Sequence, residues 1–223
     1  MCGRFSFSPL AKIIENRFDV KVDTSRYNPR YNSAPTQDLA VISNLSPGQV
    51  SFYRWGLIPF WAKDMSIGNK LINAKAETVN EKPSFKNPLK RKRCLVLADG
   101  FYEWKTLENK EKIPYRIVFR DSRLFAMAGL WDTWKNADGS TISSFTIITT
   151  TPNKLMENIH TRMPVILERK DEKTWLTNDD TEFLQSLLKP YPEVEMTAFP
   201  VSKLVNSPAN DLPDVMNPVE YSL

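Results

Sequence analysis

Leu10, Ile13, Ile14 and Phe18 recur three and four positions apart, which predicts an amphipathic helix of about three turns opened by Ser8-Pro9. Apolar and β-branched runs predict strands over residues 39–42 and 50–55, joined by a turn at Pro47-Gly48. Residues 94–104, 115–120, 124–131 and 144–149 are also β-rich, with turns at Asp121-Ser122 and Asp138-Gly139 between them. Residues 26–35 are rich in Tyr, Asn and Pro and read as a loop. Residues 58–73 follow neither period and carry Phe60-Trp61, so they read as an irregular binding loop. Pro152 opens a short helix towards His160. A second amphipathic helix, residues 180–188, presents Phe183, Leu184, Leu187 and Leu188 and stops at Pro190. From about residue 200 the prolines (Pro200, Pro208, Pro213, Pro218) predict an extended tail. The sum is a strand-dominated α+β fold with peripheral helices, expected as a single domain over residues 1–223 because no linker interrupts it.

Composition narrows the function classes. A chain of 223 residues that is 41% hydrophobic, with 26 acids against 30 bases, has the makings of one folded core and not of a disordered segment. Its apolar runs, such as residues 94–98, fall far short of the roughly 18 residues that span a bilayer, so no membrane is expected as a partner. The start shows no basic stretch followed by an apolar one, which points to the cytoplasm. A net charge of +4 permits nucleic-acid binding without demanding it. Cys2 and Cys94 are isolated and there is a single histidine, so no zinc-ligand spacing exists and no metal is expected. Cys94, inside an apolar run, reads as a buried strand residue. Any imidazole chemistry must use His160.

The opening Met1-Cys2-Gly3 carries more information. A small second residue favours removal of the initiator Met, which would leave Cys2 with an α-amine beside its thiol. This 1,2-aminothiol has two chemistries open to it. The thiolate can attack an amide with the amine as base. Alternatively, the amine can condense with an aldehyde and the thiol can close a five-membered thiazolidine.

Further segments are Arg-Tyr-Asn-Ser-Ala-Pro (30–35), Trp55-Gly56 followed two residues later by Pro59, Leu-Ile-Asn-Ala-Lys-Ala-Glu-Thr (71–78), Ala-Asp-Gly-Phe-Tyr-Glu-Trp-Lys (98–105) and Ile-His-Thr-Arg-Met-Pro (159–164). With Met-Cys-Gly-Arg at the start, they make the sequence similar, in order, to the SOS-response-associated peptidase family, the abasic-site processing proteins. The resemblance implies a barrel-like, mixed or antiparallel sheet, a basic groove for single-stranded DNA, and capture of an abasic-site aldehyde by Cys2. It requires no cofactor, and the protein is expected to act as a monomer, at the nucleoid or replication fork when bound to DNA. An older idea of peptidase activity comes with the family name.

The resemblance places catalytic groups at Cys2, Asn73, Glu103 and His160. Glu103 manages protons, with a pKa raised by burial beside Tyr102 and Trp104. Asn73 holds the amine or sugar by its amide, and His160 either protonates the sugar ring oxygen or helps later reversal of the crosslink. DNA contacts fall to Arg4, Lys75, Thr149 and Arg162 on phosphates and to Pro35 and Trp61 on bases. Lys75 departs from the Arg common in the family and loses its bidentate fork. Ala62 stands where a second Trp can occur. The triplet Arg91-Lys92-Arg93 reads as a solvated charged turn. Two other classes compete. One is an amide-cleaving N-terminal-nucleophile enzyme and the other is a non-covalent single-strand binder.

Overall fold

The computed structural model describes residues 2–221. In chain order its elements are β1 (Phe5–Phe7), α1 (Ala11–Phe18), β2 (Arg30–Ser33), β3 (Asp38–Ser43), β4 (Ser51–Trp55), β5 (Asn73–Lys75), α2 (Pro83–Arg91), β6 (Arg93–Ala98), β7 (Gly100–Thr106) and β8 (Lys112–Phe119). There follow β9 (Phe125–Lys135), β10 (Thr141–Thr150), α3 (Lys154–Glu157), β11 (Met163–Pro164), α4 (Arg169–Thr177), α5 (Thr181–Ser186) and β12 (Met196–Pro200), with short 3-10 turns between several of them. The strand-dominated α+β expectation holds. Among the described residues, no helix is long and apolar enough to cross a membrane.

Five strands close into a mixed barrel. β10 pairs antiparallel with β9 and parallel with β4, then β4 with β3, β3 with β6, and β6 back to β9. Closure removes free edges. It also explains why β6 is buried at every position, since one face lines the barrel and α4 covers the other. Trp175 on α4 donates its indole N–H to the Cys94 carbonyl at 3.1 Å, so Cys94 is the buried strand residue expected. A second, antiparallel sheet runs β12-β8-β7-β1-β2. Phe5 of this sheet packs on Trp55 of the barrel (ring centroids 5.2 Å apart), and Trp55 stacks on Phe145 at 6.2 Å. Asp99, between β6 and β7, accepts from Ser6 Oγ, Ser8 N, Ser8 Oγ and Arg116 Nη2, which fixes β1 in place.

Several expectations need correction. The segment 26–35 contains β2, which pairs antiparallel with β1; the backbone N–H groups of Tyr31 and Asn32 also donate to Asp211, and Asn32 Nδ2 donates to the carbonyls of Val205, Ser207 and Asn210. The same bonds explain why the chain beyond residue 200 is a packed series of 3-10 turns, with Val201, Val205 and Val215 buried, and not an extended tail. Helix α1 has eight residues and buries only Ile14, so its predicted apolar face is mostly exposed. Helix α2 was obscured by Pro83 and Pro88, yet Phe85, Pro88 and Leu89 form its buried face. Arg93 is not solvated at all. It is 1% exposed, and its guanidinium donates to the carbonyls of Leu89, Lys90, Trp175, Leu176 and Asn178, which satisfies the free carbonyls where α2 and α4 end.

Gly56 ends β4 with φ of 117°, and a Cβ there would lie 2.6 Å from the Gly68 carbonyl oxygen. Both the left-handed backbone and the contact exclude a side chain. Gly56→Ala is therefore expected to cost about 2–3 kcal/mol, read as a lower urea midpoint at unchanged m-value.

Candidate active site

Cys2 lies just ahead of β1 and is fully buried, its carbonyl accepting from Asn73 Nδ2 at 2.9 Å. Asn73 opens β5, which pairs parallel with β10 in the register Ile147↔Asn73, Ile148↔Ala74 and Thr149↔Lys75. Its Oδ1 is buried and has no hydrogen-bond partner among the described residues. That leaves an acceptor available to an amine or sugar hydroxyl.

Glu103 on β7 is 2% exposed. Burial pushes its carboxyl up to about 7. Tyr102 does not supply this burial as expected. Its side chain packs instead with Val201, Val205 and Val215, and its hydroxyl donates to the Tyr31 carbonyl. His160 follows α3, with Nε2 3.9 Å from Glu103 Oε2. Its Nδ1 lies 3.0 Å from the Arg162 backbone nitrogen and 3.3 Å from the Arg162 carbonyl, and the closer contact favours the tautomer with the proton on Nε2, facing the carboxyl. Burial lowers the imidazole pKa, so the ring is neutral near pH 7. The Cys2 thiol is pushed well above its ordinary range by burial and then by the negative charge of Glu103. The thiol therefore rests protonated, and Glu103 is the group poised to exchange protons at neutral pH. Met1 lies outside the described residues. No group of three or more His, Cys, Asp or Glu among the described residues could hold a metal.

The residues expected to meet DNA fall in four places. Thr149, Lys75 and Arg162 come together at the end of β10. Lys75 is exposed, Thr149 is buried, and Arg162 Nη2 donates to the Thr149 carbonyl. Arg4 is engaged within the fold. Its Nη1 donates to Asn32 Oδ1 at 2.8 Å and to the Val205 carbonyl, and its guanidinium lies over Trp104 at 5.8 Å. Pro35 and Trp61 sit in separate turns, and no hydrogen bond among the described residues ties either to Cys2. Pro35 precedes Thr36, whose φ of 76° is strained for a β-branched residue and is held by a bond from Thr36 N to the Trp55 carbonyl. Trp61 is 48% exposed and anchors no core.

Sequence reasoning missed two features. Glu77 meets Arg162 in a two-pronged ion pair at 2.6 and 2.9 Å, so one carboxylate already occupies the guanidinium. An open cleft of about 550 Å³ beside the site is lined by Glu103, Trp104, Thr106, Lys112, His160 and Asn206. The Glu of Asn-Ala-Lys-Ala-Glu-Thr was visible in the sequence, but nothing local distinguishes an arginine partner from a solvated acid.

The raised Glu103 carboxyl has a thermodynamic consequence. Its ordinary value is 4.5 and its folded value about 7. The native state thus holds a proton that the unfolded chain releases. The contribution to stability is complete below about pH 4.5 and is lost as pH rises through about 7, a change on the order of 3 kcal/mol. Urea unfolding of wild type and Glu103→Gln across that window is expected to show the decline in wild type alone.

The profile of the SOS response associated peptidase (SRAP) family matches residues 1–208. The abasic site processing protein YoqW of Bacillus subtilis (strain 168) is 52% identical over 221 residues, covering 97% of this chain and 99% of its own. The abasic site processing protein HMCES of Xenopus tropicalis is 35% identical over 226 residues, covering 87% of this chain and 67% of its own. The crystal structure of a protein from Bacteroides thetaiotaomicron superposes with a TM-score of 0.89 at 34% identity, covering 98% of this chain and 100% of that one. A barrel-bound cysteine at the chain start, the groups gathered round it and these likenesses agree, and the chain belongs to the SRAP family.

Proposed function

We propose that this protein recognises abasic sites in single-stranded DNA and captures the ring-opened deoxyribose aldehyde on Cys2, shielding the lesion during the DNA-damage response. The observation that carries the reading is a buried 1,2-aminothiol position beside a carboxyl that titrates near 7. The names of the relatives support abasic sites as the partner. The protein acts as a cytoplasmic monomer at DNA and needs no cofactor for this chemistry.

In this reading removal of Met1 puts the α-amine on Cys2, and Glu103 takes the ammonium proton. His160, neutral and with its proton on Nε2, is not the ring-opening acid that the resemblance implies and instead holds the sugar ring oxygen by a hydrogen bond. Glu103 passes its proton to that oxygen as the C1′–O4′ bond breaks, and the C1′ hydroxyl becomes the aldehyde as it gives its own proton back to the Glu103 carboxylate. The amine adds to C1′, water leaves, and an imine remains. The thiol then adds across C=N, sulfur to carbon and hydrogen to nitrogen, and one water is released in all. The Asn73 amide, already fixed on the Cys2 carbonyl, orients the nucleophile. A protonated resting thiol suits addition to an imine better than thiolate attack on an amide, which weighs against the peptidase reading.

Single-stranded DNA with one abasic site, incubated with protein of verified N-terminus, is expected to give a heat-stable shifted band on a denaturing gel. The band should vanish in Cys2→Ala and when Met1 is retained. Its absence from the processed wild type would overturn the reading. The formation rate should rise with pH through a group near 7, and Glu103→Gln should lose that dependence and slow at least tenfold.

Phosphate contacts make a separate prediction. Arg162→Ala is expected to weaken non-covalent binding and to reduce the slope of log affinity against log salt by about one, as measured by fluorescence anisotropy.

A further inference from the structure

Phe60 and Trp61 are the two central residues of a turn closed by Ala62 N to the Pro59 carbonyl at 2.9 Å. They are 60% and 48% exposed. A turn that merely crossed the surface would not need anchoring from both sides, yet this one has it. Phe60 N donates to Asp132 Oδ2 at 3.0 Å, and Trp134 Nε1 donates to the Ala62 carbonyl at 2.8 Å. Asp132 is itself buried, and its Oδ1 accepts from Lys92 Nζ at 2.6 Å and from Thr133 N at 2.8 Å. The fold therefore holds two large aromatic rings in solvent on a fixed backbone, where stacking on them would cost little ordering.

On the Phe60 side of the turn lies a cleft of about 340 Å³ lined by Asn87, Pro88, Lys90, Arg91, Lys92 and Asp132 besides Phe60. Lys86, Lys90 and Arg91 of α2 are exposed, and none joins an ion pair among the described residues. The one carboxylate in the cleft is already neutralised by Lys92. The α2 carbonyls that would repel an anion here are occupied as well, since Arg93 donates to those of Leu89 and Lys90. A fixed aromatic face beside unpaired cations matches the needs of a single nucleic-acid strand: a surface for a base and positive charge for the flanking phosphates.

We propose that the cleft between Phe60 and the C-terminal end of α2 is a second single-stranded DNA subsite, in which a base flanking the lesion stacks on Phe60 and Lys90 and Arg91 neutralise the adjoining phosphates. The subsite rests on the reading of the protein as a binder of single-stranded DNA at abasic sites, since Trp61 of the same turn is one of the residues expected there to meet a base. It extends the footprint beyond the residues that handle the lesion and takes no part in the chemistry.

The test compares strands of about seven and about twenty nucleotides, the longer exceeding the roughly 16-nucleotide upper end of such footprints. Phe60→Ala, and separately the double variant Lys90→Ala/Arg91→Ala, are expected to bind the long undamaged strand about five- to tenfold more weakly. The double variant should also lose about one to one and a half from the salt slope. Both should match wild type on the short strand and crosslink a short lesion-bearing strand at the wild-type rate. Wild-type affinity of both variants for the long strand would overturn the subsite and leave the surface to another class of partner, such as an acidic protein segment. Equal weakening on short and long strands would overturn it too. Binding to undamaged strands reports on the subsite alone and crosslinking of the short strand on the trap alone, so the two failures are distinguishable.

Discussion

Strand β10 is the member on which both the barrel and the site depend. Its first half pairs with β9 on one side and β4 on the other, which closes the barrel. Beyond residue 147 the neighbours change, and β5 and β11 take the places of β4 and β9. Parallel pairing with β5 sets Asn73 opposite Ile147, and antiparallel pairing with β11 draws in the segment that carries His160 and Arg162. The exchange is made possible by the departure of β4 at Gly56, where Gly56 N bonds to the Phe145 carbonyl and Ile58 N to Ser144 Oγ. A one-residue slip of β10 would turn its buried side chains to the opposite face and separate Asn73 from Cys2.

Burial does the electrostatic tuning. Glu103 and Cys2 are both removed from water, and the negative charge of Glu103 makes the Cys2 thiol harder still to ionise. Near neutral pH the carboxyl is the group with access to both protonation states, which is what a proton carrier requires. Arg93 shows the opposite solution. It stays charged in the interior because five backbone carbonyls surround it, so its charge serves the ends of two helices. Arg162 lies between these cases. Its fork is closed on Glu77 and the Thr149 carbonyl, so its charge is already paired with a carboxylate at the surface.

Segment 56–72 has no regular strand or α-helix, yet it is tightly held. The Gly56–Gly68 approach closes its base, Trp55 Nε1 donates to the Ile72 carbonyl at its end, and Asp132 and Trp134 fix its tip. An irregular path is well suited to presenting exposed rings, because neither a helix nor a sheet would leave two consecutive aromatics outward on a rigid backbone.

The sequence by itself determined the class of fold through the alternating and β-branched runs that became β3, β4, β6, β8, β9 and β10. It also narrowed the candidate chemistry, because one histidine and one cysteine near the start leave few combinations. The resemblance carried by the motifs named Asn73 and Glu103 as partners. Sequence could not decide what depends on contacts between distant segments. Strand β2 forms by pairing with β1, more than 20 positions earlier, and is held there by Asp211 and the turns beyond residue 200. The burial of Arg93 needs the ends of two helices more than 80 positions apart. The Glu77–Arg162 pair joins residues from opposite sides of the barrel seam. The raised pKa of Glu103 comes from the packing around it and not from its sequence neighbours. Local propensity and periodicity are properties of a few consecutive residues, whereas dielectric environment and ion pairing are set by whatever the closed sheet brings alongside.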